Sequence, residues 1–535
     1  MSSAEGAAGR DHAVDDAAPP PAAPEIPRGV SGAARWLRDG LGVAALALLV
    51  RSCVVLWAAG RFPPTADGAY YHRIAERIAA GLGYTWLWPD GVVTYAAHYP
   101  VGYPGAIGGL YAVIGVRPGA AMMLNAVLGA LAALAVHRLA ARAASRDGAL
   151  IAGLLVALHP GLVFYTAALM TEGVTAALLA IVAWAAAAAR DAVRPASDPV
   201  RWLRFVGALG LLGLLLGAAT MVRPQSILLA PVFGLLVFGG ESGDGRDPIR
   251  SALGGRAARV ARVFRGLGGA LLVTSIALLA CAPWTLRNCD RMGRCALVSV
   301  NGGWNLLIGA DAQSTGAWAP IQVPGACLEV FDEAAKDACF EREARRFIAE
   351  QPAAWLSLVP RKLAATFDYC GAAGWYLHES NGAAFGERAK MALGVVETAY
   401  ERAMVLLGLL WTAGDLRRFR ALRARADGEP RGRGSRGLWI VRLLVALVGL
   451  LSLFWLHAWV GYLALVIGAC LRPRELARGP VLPAAAIAVL ASCLLTHAVF
   501  FGAGRYALVT FPLLCGVAGV FLGGRPEARR SRLGI

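Results

Sequence analysis

Apolar stretches of nearly membrane-spanning length recur along the whole chain. That recurrence restricts it to folds that use lipid as a solvent. Leu41–Gly60 and Leu267–Pro283 are two such runs, and each approaches the roughly 20 residues that cross a hydrocarbon core. Charged residues make up only 16% of the 535 positions, against roughly 25% in a soluble domain. The shortfall is concentrated in the apolar runs. The expected fold is an α-helical polytopic membrane protein with about twelve transmembrane helices and a mixed α/β domain outside the membrane.

The formal net charge is +17. In a soluble chain that excess would suggest nucleic acid. Here the arginines sit in short connectors between apolar runs, where they set topology, and no nucleic-acid partner is expected. Residues 1–30 are rich in Ala, Pro and Asp without an apolar core, which predicts a disordered cytoplasmic tail. The first apolar run then acts as an uncleaved signal anchor. Arg28, Arg35 and Arg38 precede it and place the N-terminal side in the cytoplasm.

Gly105–Val116 is too short to cross comfortably and reads as an interfacial helix on the outer side. Treating it as a span would put His137, Arg138, Arg142 and Arg146 outside, against the positive-inside bias. Spans then fall near 41–59, 119–138, 148–166, 172–189, 203–220, 225–240 and 267–283. Their basic connectors at 190–202 and 246–265 lie inside. Residues 284–395 form an outer domain. A span near 398–413 returns to the basic loop around Arg417–Arg436, two tight spans fill 438–471, and 481–500 and 506–523 complete the set. The expected organisation is a membrane domain over 31–283 with an outer loop at 60–118, the domain at 284–395, helices over 396–523, and a cytoplasmic tail at 524–535.

Cysteines agree with this map. Cys53, Cys281, Cys470, Cys493 and Cys515 lie in apolar runs, where free cysteine behaves as a small hydrophobe. Cys289, Cys295, Cys327, Cys339 and Cys370 fall in the outer domain. Cys289/Cys295 and Cys327/Cys339 are candidate local disulfides in an oxidising compartment, with one cysteine left over unless the pairing differs. A zinc site fits less well, because no close CxxC pair is present.

Two outer segments carry the polar chemistry. Arg61–Pro104 concentrates ionisable and aromatic residues that can line a cavity at the membrane surface. Trp86 and Trp88 read as an interfacial aromatic belt. Asp67 does not: it follows Phe62-Pro63-Pro64, which constrains the chain direction, and opens an amphipathic helix over Tyr70–Ala80 with Tyr71, Ile74 and Ile78 at helical spacing. The second segment opens with Pro283-Trp284-Thr285-Leu286-Arg287-Asn288. It continues through Asn301-Gly302-Gly303-Trp304, a turn that either brings backbone to a ligand or is purely structural. Residues 332–350 predict a charged helix, and 352–369 another, carrying Arg361 and Lys362 near the membrane. Glu172, Arg223 and Arg505 stand at outer ends of spans. Ionisable residues at membrane depth are functional candidates; the competing readings are snorkelling, an interhelical ion pair, or, for Glu172, a favourable helix N-terminus.

Taken in order, these pieces resemble one family. They are Asp67 with its downstream helix, Gly81-Leu82-Gly83-Tyr84, His98-Tyr99-Pro100-Val101-Gly102-Tyr103-Pro104, Met170-Thr171-Glu172, Val222-Arg223-Pro224-Gln225, Pro283 to Asn288, Asn301 to Leu306, and Gly504-Arg505-Tyr506. The chain resembles the bacterial GT-C-type glycosyltransferases related to protein O-mannosyltransferases and the lipid A aminoarabinose transferase, from roughly residue 40 to 523. The resemblance implies transfer of a sugar, with inversion, from a polyprenyl-phosphate carrier to a lipid, glycan or protein acceptor. It implies a multi-pass protein of the bacterial inner membrane with its site on the outer face. An acidic residue of the first outer loop is essential in the family, and Asp67 occupies that place. Many relatives have Asp-Glu where this chain has Asp67-Gly68, and most have Arg where it has His98.

The chemistry suits these residues. An acceptor hydroxyl is a weak nucleophile, so a carboxylate must take its proton as the new bond forms, from the face opposite the leaving group. The lipid phosphate leaves as an anion, which arginine stabilises by bidentate contact. The assignment is Asp67 as base, with Glu172 as a second acidic residue. Arg223, Arg505, Lys362, His98 and Tyr103 hold the donor phosphate and sugar. No cofactor is implied with certainty. Asp67 and Glu172 are able to share a divalent cation, although two hard ligands alone do not specify one. Two other classes compete: a lipid or sugar flippase or transporter, which would place critical charges in mid-helix, often within repeated halves, and a non-catalytic assembly scaffold.

Overall fold

The computed structural model describes residues 28–192, 199–238, 248–414, 434–455 and 457–524. Expectations for the N-terminal tail up to residue 27, most of the basic loop around Arg417–Arg436, parts of the connectors at 190–202 and 246–265, and residues 525–535 lie outside the described residues.

Helix α1 (Arg28–Ala58) leads into α2 (Asp67–Ala79), then a two-stranded antiparallel ribbon of β1 (Thr85–Leu87) and β2 (Val93–Tyr95), in which Trp86 pairs with Thr94. Helix α3 (Gly102–Ile114) follows, then α4 (Pro118–Ala140), α5 (Arg146–Ala157), α6 (Pro160–Phe164), α7 (Thr171–Ala192), α8 (Pro199–Val222) and α9 (Ala230–Phe238). The long α10 (Pro248–Met292) leads to the short α11 (Gly302–Gly309). Next come α12 (Glu333–Glu350), α13 (Pro352–Ser357), α14 (Val359–Phe367), α15 (Ala372–Ser380) and α16 (Glu387–Ala413). The chain closes with α17 (Gly434–Trp455), α18 (Ala458–Cys470), α19 (Pro473–Arg478), α20 (Val481–Val499) and α21 (Phe511–Gly523).

Among the described residues, eight helices are long and apolar enough to cross a membrane, or nine if the bent pair α5–α6 is one span. The chain is therefore a multi-pass membrane protein. Each of the other three expected spans is also helical. Residues 224–238 and 459–470 form shorter apolar helices, and α16 carries Glu397, Glu401 and Arg402 within its apolar stretch. A short helix is present at the expected place as α3. A mixed α/β outer domain is not found. The strands among the described residues are β1 and β2, and 284–395 is built from helices and loops, with one isolated bridge between Ala317 and Gly502. That segment lacks a run of alternating β-branched residues that could sustain a sheet.

Two devices position the site. In the first, α5 and α21 pack along a seam of small residues. A Cβ added at Gly519 would lie 2.5 Å from Ala152, so the backbones approach as membrane helices with small interfacial residues do. Ser145 secures the end of the seam: its hydroxyl donates to the Gly523 carbonyl at 2.6 Å and accepts from Gly148 N–H at 3.2 Å.

The second device is a break. The α5–α6 pair bends by 48° at His159-Pro160, where Pro160 takes the first helical position and His159 Nδ1 accepts from Leu162 N–H at 3.3 Å. The carbonyls freed at the end of α5 are satisfied by Arg51, which donates to Ala157 O at 2.9 Å and Val156 O at 3.0 Å. Arg51 is 1% exposed, about two turns before the end of α1. Buried backbone groups in lipid need such partners, so this charge supports the bent span that delivers Tyr165 and Glu172 to the site.

Candidate active site

The N-terminus of α2, the N-terminus of α7, the residue after α8 and the segment before α21 meet at one end of the bundle. Asp67 Oδ2 lies 2.9 Å from Arg505 Nη1. Arg505 Nε lies 3.4 Å from Glu172 Oε1, and Arg223 Nη1 lies 3.5 Å from the same oxygen. Tyr99 donates to Asp67 Oδ1 at 2.7 Å, and Tyr165 donates to Glu172 Oε2 at 2.9 Å. The result is a chain of alternating charge, Asp67–Arg505–Glu172–Arg223, with a tyrosine on each carboxylate.

Tyr506 supports both cations. The Arg223 and Arg505 guanidinium carbons lie 4.8 and 5.2 Å from its ring centre, an arrangement that the ring quadrupole favours. His497 stacks on the same Tyr506 ring at 4.3 Å and 11°, and its Nδ1 is bonded to Phe501 O at 2.9 Å. The loop that carries Arg505 is thus held at both ends.

Asp67 is fixed from two further directions. Tyr376 in α15 accepts N–H bonds from Thr65 at 3.4 Å and Leu169 at 3.3 Å. Helix α15 is itself tied down by Glu397, whose carboxylate accepts from Ala373 N–H at 3.3 Å and Gly374 N–H at 3.1 Å. On the opposite side the 96–99 segment is clamped. Ala97 N–H donates to Glu333 at 2.7 Å, Ala97 O accepts from Val300 at 2.8 Å, and Ala96 O accepts from Arg287 at 2.9 Å. Ala66, next to Asp67, has φ 51°. A non-glycine residue there costs on the order of 1–3 kcal/mol and persists only where its surroundings over-determine it.

Electrostatics follow from this geometry. Burial alone would raise the Asp67 pKa, but Arg505 and Tyr99 prevail and hold its carboxyl below the ordinary carboxylate range. Burial raises the Tyr99 phenol, reinforced by Asp67, so Tyr99 stays a hydrogen-bond donor. Burial also pushes His98 down to about 4, so its ring is neutral at physiological pH.

Gly68 explains why no second carboxylate follows Asp67. A Cβ there would sit 2.8 Å from the Tyr376 hydroxyl oxygen and 2.9 Å from the Leu169 carbonyl oxygen. The carbonyl is backbone and has little freedom to move. Gly68→Glu is expected to destabilise the protein by about 1–3 kcal/mol, as overpacking does. Unfolding midpoints in detergent check this, and Gly68→Ala should already show most of the loss. An unchanged midpoint would refute the packing argument.

The other expected site residues are placed as follows. His98 meets Tyr99 edge-on at 4.8 Å and borders the cluster. Tyr103 does not join it: its hydroxyl donates to Asn125 at 3.0 Å, and Asn125 donates to Ala168 O at 2.9 Å. A neighbouring cavity of about 20 Å³, lined by Arg51, Asn125, Tyr165 and Thr166 among others, has room for about one water and none for a substrate. Lys362 is not brought to the cluster either. It donates to Val499 O at 2.8 Å and caps the end of α20; burial pushes its amine down to about 8. Cys289 is paired with Cys295, Cys327 with Cys339, and Cys370 is free and buried. Gly302 and Gly303 open α11 rather than forming an isolated turn, and a Cβ on Gly303 would collide with the Asp337 carbonyl of α12.

Among the described residues no group of three or more His, Cys, Asp or Glu side chains is arranged to hold a metal. Asp67 and Glu172 do not face a common open space, because Arg505 lies between them and contacts both. The pair therefore does not fit a shared cation. Tyr165, Tyr376, His497 and Glu397 are site or support residues that the sequence reading did not single out, and Tyr506 appeared there only as part of a motif.

Residues 98–249 match the family described as dolichyl-phosphate-mannose-protein mannosyltransferase. That match, over less than a third of the chain, agrees with the resemblance drawn from the motifs. No curated protein matches the chain. Solved structures similar to it include the Archaeoglobus fulgidus oligosaccharyltransferase in its apo form, at 13% identity and a TM-score of 0.42, covering 90% of this chain and 50% of that one. The Archaeoglobus fulgidus oligosaccharyltransferase AglB with an inhibitory peptide and a dolichol-phosphate is another, at 14% identity and a TM-score of 0.35, covering 79% and 56%. The chain spans about half the length of these structures.

Proposed function

We propose that this chain transfers a sugar, with inversion, from a polyprenyl-phosphate carrier to a lipid, glycan or protein hydroxyl at the outer face of the bacterial inner membrane. The observation that carries this reading is the sharing of Arg505 between Asp67 and Glu172, with Arg223 beyond. Two carboxylates and two guanidinium groups stand in one ion-paired set at a bundle end, and this supports reading Asp67 as the base and the arginines as the phosphate-binding cations.

The contacts differ in strength. Arg505 sits at 2.9 Å from Asp67, whereas Glu172 lies 3.4–3.5 Å from both arginines, longer than a tight charge-assisted bond. Glu172 therefore keeps two like charges together while leaving their donors free to turn. The donor phosphodiester takes Arg223 and Arg505. The acceptor hydroxyl attacks the anomeric carbon, its proton passes to Asp67, and the bond from that carbon to the phosphate oxygen breaks. The lipid phosphate leaves with one more negative charge than the diester carried, and the arginines stabilise that gain. As Arg505 turns to the phosphate, Asp67 loses its cation and becomes a better base. Apolar grooves between spans hold the prenyl chain.

A transporter reading is less well supported, because the charge cluster lies at helix ends and Arg51 within α1 is committed to carbonyls. Membranes containing the protein, supplied with a labelled polyprenyl-phosphate sugar, are expected to form a labelled glycosylated product that membranes lacking it do not. Movement of the donor between leaflets without any product would instead establish a flippase.

A further inference from the structure

We propose that the β1–β2 hairpin is a membrane-contact element. Its exposed apolar face lies at the acyl boundary of the leaflet beside the charged cluster, with lipid as its partner. The inference is independent of sugar transfer.

From Tyr84 to Tyr95 the chain carries one charged side chain, Asp90. Leu87, Trp88, Val92 and Val93 are each about half exposed, at 47–53%, and Leu87 pairs with Val93 across the strands. A two-stranded hairpin is marginal in water unless a face is packed. The inward side is packed already, because Trp86 stacks on Tyr70 at 4.4 Å and 13°. The two tryptophans expected to form an interfacial belt therefore part: Trp86 turns inward and Trp88 stays exposed. A contiguous apolar patch of this kind marks an interaction surface.

The position of the hairpin says what covers that patch. Leu271, Leu279 and Leu286 stand at helical spacing along α10 and are 68–71% exposed, as the lipid-facing stripe of a span should be. Arg287 is the next residue, about 1.5 Å further along the axis. It donates to Tyr84 O at 3.1 Å and to Ala96 O at 2.9 Å, at the two ends of the hairpin. The hairpin base thus stands at the height where the apolar stripe ends. Arg291, one turn on, lies 4.8 Å from the Tyr95 ring centre. Arginine and tyrosine are residues that settle at a membrane boundary.

The turn is built for surroundings poor in water, where unpaired backbone groups are costly. Trp88 N–H donates to Val92 O at 2.9 Å, Gly91 N–H to Trp88 O at 3.0 Å, and Val92 N–H to the Asp90 carboxylate at 3.0 Å. Pro89 has no N–H. The Trp88 indole N–H donates to Thr94 at 3.0 Å, which leaves the ring to meet acyl chains. Strand β2 runs directly into the 96–99 segment, so a hairpin seated in lipid anchors the residues that bring Tyr99 to Asp67.

The test is a spin-label depth measurement on the full-length protein in lipid nanodiscs. Cys53→Ala and Cys470→Ala remove the exposed free cysteines. A nitroxide is attached at Val92→Cys or at Leu87→Cys, with Leu279→Cys as the lipid reference and Glu350→Cys, exposed at the end of α12, as the aqueous one. Collisions with oxygen and with a water-soluble nickel chelate are compared. Both hairpin labels should meet oxygen more than the chelate, at the depth of roughly 5–10 Å where interfacial elements lie. A chelate-dominated signal at either position, like that at Glu350, would overturn the proposal. Shielding from both reagents would overturn it too, by pointing to a protein partner. Substitutions at exposed side chains leave stability nearly unchanged, so a wild-type unfolding midpoint is expected for each labelled protein, and either hairpin site alone decides the question.

Discussion

Asp67→Asn is expected to lower sugar transfer by a factor of about 10²–10⁴, the range in which a positioned general base contributes, while donor affinity changes little. Asparagine keeps the volume and still accepts from Tyr99, which bonds Oδ1 at 2.7 Å. It gives up the negative charge and the capacity to take a proton. Arg505 retains Glu172 as a partner, so the fold should survive, and loss of transfer would report on chemistry. The pH behaviour carries a further sign. Burial would raise the Asp67 pKa, but Arg505 and Tyr99 hold it below the ordinary carboxylate value. A depressed pKa contributes stability above the unfolded value, and that contribution is lost as pH falls through the folded value. The acid limb of kcat/KM, which reports the free enzyme, should therefore lie below about pH 4. The acid limb of kcat should lie higher, because bound donor phosphate has drawn Arg505 away. Full activity of Asp67→Asn at equal expression would sink the base assignment, and coincident limbs would sink the handover of Arg505.

The helical membrane architecture was legible in the sequence because its signal is local. A run of apolar residues declares a span without reference to any distant residue. The charged cluster was legible for a related reason. Successive spans alternate direction, so residues just beyond α1 and α8 and just before α7 and α21 must share a side of the membrane. Asp67, Glu172, Arg223 and Arg505 each stand at such an end. The supporting shell left no local trace. Tyr376 reaches Thr65 across more than three hundred positions, and nothing near either residue encodes the pairing. Lys362 was misplaced because its position beside the membrane gives its charge but not its partner, and the open carbonyls of α20 claimed it. Arg51 escaped notice because the run around it is apolar enough to mask one charge. Its partners are the carbonyls of a helix break more than a hundred residues away. The sheet expected in 284–395 is absent because that segment has no run of alternating β-branched residues to sustain one, a signal the sequence already carried.

Arg505 is the residue whose loss should disturb most at once, because among the described residues it is the one that contacts both carboxylates of the cluster. Arg505→Gln is expected to reduce transfer by a factor of about 10²–10³, as removal of one preorganised donor to a developing anion does. KM for the donor should rise as kcat falls. The variant leaves Asp67 with Tyr99 alone and Glu172 with Arg223 and Tyr165. Since Arg505 lowers the Asp67 pKa, its removal should shift the acid limb of kcat/KM upward. The shift separates this account from a purely structural one, because a simple packing defect would lower the rate at every pH without moving the limb. Arg505→Lys restores the charge but not the planar fork that addresses two groups at once. It should return the limb toward its original position while recovering only part of the rate. A rate loss in Arg505→Gln with no movement of the limb would show that Arg505 does not govern the proton on Asp67 and acts on the phosphate alone.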